Sequence, residues 1–133
     1  MSRVALTLIA LLLAAVAAGC GVDNNSAPKF QGAERDVAQA IDDLGSAAKR
    51  KNEAKICTDL LTKELAASLK SAGTDCETEM SDALADSDDY DLTVKDVTIS
   101  GPTATAVVEN NDKTATLKLQ KVGQDWRVAS FGS

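Results

Sequence analysis

The chain has 133 residues, 20 acidic side chains against 14 basic ones, no histidine, and only one Trp, one Tyr and two Phe. A net charge of −6 leaves no basic footprint for nucleic acid. The lack of histidine removes every Ser-His-Asp or Cys-His scheme and most transition-metal sites, so no cofactor is expected.

The first element is an uncharged run from Val4 to Ala18, preceded by Arg3. It is shorter than the roughly 20 residues needed to span hydrocarbon and fits the apolar region of a signal peptide. Small residues follow at Ala17, Ala18 and Gly19, and then Cys20. This arrangement resembles the lipobox of bacterial lipoproteins, although Ala17 stands where Leu is commoner. The resemblance implies that residues 1–19 are removed and that Cys20 is acylated, leaving a lipid-anchored protein on the outer face of the cytoplasmic membrane or on an outer membrane. Two acyl chains hold a protein at a membrane stably, each buried methylene contributing about 0.8 kcal/mol. The alternative is an ordinary secretory leader cut after Ala15-Val16-Ala17, which leaves Cys20 as a free thiol.

Loss of the leader removes one basic residue, Arg3, and no acid, so the mature chain carries −7. Residues 20–32 form the lipidated N-terminus and a flexible tether, because Gly21 to Gln31 is rich in Gly, Asn, Ser and Pro. Residues 33–133 are then one domain by size. With so few aromatic residues its core must come from Leu, Val, Ile and Ala.

Between Glu34 and Lys51 the apolar residues Val37, Ile41, Leu44 and Ala48 recur at helical spacing, and Lys49-Arg50-Lys51 suits the negative end of the helix dipole. Asp42 and Asp43 fall on the polar side. Ile56, Cys57, Leu60, Leu61, Leu65 and Leu69 predict a second helical stretch, broken near Thr62 and capped at Gly73. Thr74 and Glu77 have the spacing of a capping box, starting a short third helix through Met80, Ala83 and Leu84.

After the acidic stretch around Tyr90 the pattern changes to alternation. Leu92 and Val94 are one residue out of phase with Val97 and Ile99, predicting a bulge at Lys95-Asp96. Turns at Gly101-Pro102, Glu109 to Asp112 and Gly123 to Asp125 separate three further strands. Ala104, Ala106 and Val108 share one face of the second strand; Ala115, Leu117 and Leu119 share one face of the third. Helices followed by an antiparallel meander define an α+β class, with helices packed on one face of a curved four-stranded sheet.

That order of elements, the helical Cys57 beside Ile56 and before Leu60-Leu61, the helical Cys76, and the closing Gly123-Gln124-Asp125-Trp126-Arg127-Val128 resemble the nuclear transport factor 2-like superfamily, in particular its small secreted actinobacterial lipoproteins. The resemblance spans Ala33 to Phe131 and implies a cone-shaped domain. Some members of that superfamily are isomerases or cyclases that use an Asp base and a Tyr donor. Here Tyr90 lies in an acidic segment, and no carboxylate falls on an apolar face.

In an exported chain with Cys20 lipidated, Cys57 and Cys76 are left to each other as a disulfide. The loop it closes has 20 residues, worth about 3 kcal/mol in the chain-entropy description. The carboxylates Asp82, Asp86, Asp88, Asp89 and Asp91 lack the Gly and terminal Glu of an EF-hand loop and read as a solvated acidic loop rather than a calcium site. Leu117, Leu119, Trp126, Val128 and Phe131 are the candidate lining of a cavity on the concave side of the sheet. The expected role is therefore non-catalytic binding at the cell envelope, of another envelope protein or a small apolar ligand. A small isomerase- or hydratase-like enzyme would need a buried Asp or Glu in a deep pocket, and a surface spacer would have no pocket.

Overall fold

A computed structural model describes residues 25–70, 73–86 and 90–132. The first element is a 3₁₀ turn at Ala27–Lys29, followed by α1 (Gly32–Lys49) and a short α2 (Glu53–Lys55) that widens into a π turn at Ile56–Leu60. Next come α3 (Lys63–Lys70), α4 (Cys76–Ala85) and the strands β1 (Thr93–Ser100), β2 (Thr103–Asn110), β3 (Lys113–Val122) and β4 (Asp125–Phe131). The strands form one antiparallel sheet in the order β1-β2-β3-β4, so the class is α+β.

The buried stripe of α1 is Val37, Ile41, Leu44 and Ala48, with Ala38, Gly45 and Ala47 beside it. It packs against β1, β2 and β4. The sheet answers with Val94 and Val97, Ala104, Ala106 and Val108, Leu117 and Leu119, and Trp126 and Val128, all buried. The phase change in β1 has the predicted cause. Val94 pairs with Val108 and Asp96 with Val107, leaving Lys95 as the extra residue of a bulge, so both valines face the core. A second irregularity lies opposite Lys118 and Leu119. Ser130 and Val128 are their partners and Ala129 is looped out, which keeps Val128 and Phe131 on one face.

Each edge strand is met at one point by an earlier segment of the chain. Beside β4, Leu61 makes a parallel bridge to Val128, and the Thr62 N–H donates to the Val128 carbonyl at 2.9 Å. This pairing explains the predicted break near Thr62, where Leu61 is extended and Thr62 Oγ1 accepts from Leu65 N to start α3. Beside β1, the hydroxyl of the buried Ser26 accepts from Val94 N at 3.0 Å.

Ser26 and Ala27 correct the expected tether. Each is only 1% exposed, the Ala27 N–H donates to Asp42 Oδ2 at 2.8 Å, and Phe30 packs against the core. The packed unit therefore begins before residue 33. Asp42, expected on a solvent face, is recruited to satisfy this backbone donor. Cys20, residues 1–19 and the first part of the tether lie outside the described residues.

The start of α4 is also shifted. Asp75, not Thr74, is the N-cap, with Oδ1 accepting from Thr78 N at 2.8 Å, while the Thr74 hydroxyl bonds Glu79 instead of Glu77 taking part in a capping box. The Thr78 backbone N–H holds the Asp75 carboxyl below its ordinary value of 3.8. A lowered carboxyl stabilises the fold above that ordinary value, and the contribution is lost as pH falls through the lowered one.

Gly45 lies in the middle of α1 with helical φ. A methyl group there would meet Leu92 Cβ and the Tyr90 carbonyl at 3.6 Å, ordinary contact distances. Gly45→Ala should therefore stabilise the domain by about 0.5–1 kcal/mol through helix propensity. Urea unfolding of the two proteins checks it.

Candidate functional site

The sheet's buried face is packed under α1 at one end and opens into an apolar recess at the other. At the filled end α1 and the π turn cover Leu119, Val128 and Trp126, which are 1%, 1% and 6% exposed. At the open end lies a recess of about 370 Å³, within the range of small-ligand sites. Its floor is Val108, Ala115, Leu117 and Phe131 from the sheet. One wall is Leu44 and Ala48 near the end of α1, with Ile56 beyond; the opposite wall is Met80, Ala83 and Leu84 of α4. Tyr90 and Leu92, on the approach to β1, complete it.

The far wall depends on the disulfide. Cys57 in the π turn and Cys76, the first residue of α4, are joined, with Cα atoms 6.0 Å apart. The main contacts of α4 are with α2 and α3 rather than with the sheet. It is thus held over the sheet from one side, and the recess is the space beneath it. Tyr90 ties the other end of this wall, its hydroxyl donating to the Ala83 carbonyl at 2.7 Å.

Of the five residues expected to line a cavity, Leu117 and Phe131 line this recess, and Trp126 borders a separate one of about 280 Å³ with Leu60, Ala40 and the carboxylates Asp36, Asp43 and Asp125. Leu119 and Val128 do not, because they are consumed in the core. Trp126 lies at the opposite end, where Lys121 Nζ sits 6.0 Å from its ring centroid. The alternation of β3 and β4 identifies the face, whereas the position of the opening depends on where the helices stop covering it. Tyr90 was not legible as a lining residue, since its neighbours in sequence are acidic and only the fold carries it beside Ala83.

Two polar residues also line the recess, Asn110 and Lys113. They are directly opposite each other as the last pair before the β2–β3 turn. That turn is a tight one through Asn111 and Asp112, with φ of 49° and 63°, the pair of positive values a two-residue type I′ hairpin requires. Asn110 Oδ1 is buried and has no hydrogen-bond partner. Sequence parity contained the signal for both: Asn110 continues Ala106 and Val108, and Lys113 precedes Ala115 and Leu117.

No carboxylate lines the recess among the described residues, and no group of three or more His, Cys, Asp or Glu there is placed to hold a metal. In the acidic stretch Asp91 is 2.6 Å from Lys49 Nζ, while Asp88 and Asp89 lie outside the described residues. No described helix is long and apolar enough to cross a membrane. Comparison with family models, curated proteins and solved structures finds no match.

Proposed function

We propose that this protein is a lipid-anchored domain of the cell envelope that binds a small apolar ligand without transforming it. The observation that carries this reading is the recess under α4, which is walled by aliphatic side chains and holds no carboxylate among its described lining. Binding in such a recess draws on apolar area removed from water, about 25 cal/mol per Å² before the costs of association. The helix-covered sheet, open at one end, is in keeping with a nuclear transport factor 2-like cone. Lipid attachment at Cys20 rests on the lipobox-like residues and gives the domain its place at a membrane from which an apolar ligand can be drawn.

A neutral apolar fluorophore, N-phenylnaphthylamine, tests the binding role. The protein should enhance its emission saturably. Ala115→Phe, which places a ring on the recess floor, should abolish the enhancement while leaving the circular dichroism unchanged. No saturable signal with the unaltered protein, or equal binding by the Ala115→Phe variant, would contradict the proposal.

A further inference from the structure

We infer that the recess under α4 is also a seat for the protein's own anchor: when no outside ligand fills it, one acyl chain on Cys20 folds back into it. This rests on the lipid attachment and the binding role proposed above, and adds an occupant that competes with the ligand. The place where the chain enters the folded unit carries the inference. Ser26 is buried against β1, its hydroxyl accepting from Val94 N, and the Ala27 N–H is held by Asp42. These two bonds fix the start of the described chain beside the approach to β1. Asn25, one residue further out, lines a groove with Gly45, Lys49, Tyr90 and Leu92. Tyr90 and Leu92 also line the recess, so groove and recess meet along these two residues.

Chain length covers the remaining distance. Cys20 is five residues before Asn25, a separation that spans at most about 18 Å. A lipid on its sulfur has then only to pass Tyr90 and Leu92 to reach the aliphatic walls. The recess has a volume of about 370 Å³. A methylene takes roughly the volume of a water molecule, about 30 Å³, so the recess holds about a dozen methylenes of one chain and has no room for a second. A link this short presents the chain at an effective concentration on the order of millimolar, ahead of a dilute free ligand. The consequence is a link between binding and anchoring. Two acyl chains hold a protein at a membrane stably, whereas one does so only marginally and reversibly. A diacylated protein with one chain in the recess is therefore held weakly by the other, and a ligand that fills the recess returns both chains to the bilayer.

The test uses the mature chain, residues 20–133, in which Cys20 is the one cysteine outside the Cys57–Cys76 bond. N-dodecylmaleimide attaches to it a single alkyl chain of about the length the recess takes, and N-ethylmaleimide gives the control. The ethyl form should bind N-phenylnaphthylamine saturably, and the dodecyl form should bind it about tenfold or more weakly, as for a tethered competitor. The same dodecyl group on Thr105→Cys in a Cys20→Ser background, on the exposed face of β2, should leave the fluorophore's affinity unchanged. Ala115→Phe, which fills the recess, should send the dodecyl form onto phosphatidylcholine vesicles several-fold more than its unaltered counterpart, read by cosedimentation. Equal fluorophore affinity in the ethyl and dodecyl forms, an equal loss from the chain at position 105, or vesicle association that Ala115→Phe does not change would overturn the fold-back and leave the binding role standing. No saturable binding by the ethyl form would overturn both. Because the chain is attached chemically, these results do not depend on acylation in the cell; absence of acyl mass on the native protein would overturn the anchor and the inference with it.

Discussion

Replacing Cys57 and Cys76 together by serine is expected to lower the stability of the domain by about 3 kcal/mol and its melting midpoint by on the order of 15 °C. Closure of a loop with a sequence separation of 19 supplies the first effect by restricting the unfolded chain. A second effect is specific to this fold. Since α4 rests on α2 and α3 and not mainly on the sheet, freeing Cys76 releases the wall of the recess. The double variant should therefore lose fluorophore affinity at temperatures where it is still folded. Calorimetry together with a binding titration well below the midpoint reads both. Full affinity in the folded double variant would show that the disulfide staples the domain without shaping the site.

Leu119→Ala and Phe131→Ala should have opposite profiles, although both residues lie on the same face of the sheet. Leu119 is 1% exposed and enclosed by the core, so its truncation should cost about 2–5 kcal/mol through lost burial and a residual cavity. Phe131 is 44% exposed on the recess floor. Its loss should cost about 1 kcal/mol or less, because much of its area is already in contact with water, yet it should weaken binding of the apolar probe. Chemical unfolding and probe titration of the two variants separate packing from site. Similar stability losses for both would place Phe131 in the core.

The same pair of residues shows what was legible in the sequence. Alternation along β3 reports which face is apolar and groups Leu117 with Leu119, whereas Val128 and Phe131 are three residues apart in β4 and share that face only because Ala129 is looped out. It carries no information about which part of that face the helices leave uncovered. That depends on Leu61 pairing with Val128 and on Cys57 meeting Cys76, both long-range relations. The bulge at Lys95 was legible because inserting one residue into a period of two leaves a visible phase error. The docking of Ser26 and Ala27 was not. A segment of Asn, Ser, Ala and Pro has the composition of a linker, and only the edge of β1 and the carboxylate of Asp42 give its backbone partners. The shift of the α4 cap from Thr74 to Asp75 is a smaller case of the same kind, since adjacent Thr and Asp are both competent N-caps.

Native mass spectrometry of the protein extracted from its own membrane brings the anchor, the disulfide and the ligand into one spectrum. The expected spectrum shows a chain beginning at Cys20, heavier by covalent acyl groups and lighter by the two hydrogens of the Cys57–Cys76 bond. It also shows a small lipid held without a covalent bond and released on collisional activation. A chain without acyl mass, with free thiols and with no releasable lipid, would contradict the proposed anchor and binding role.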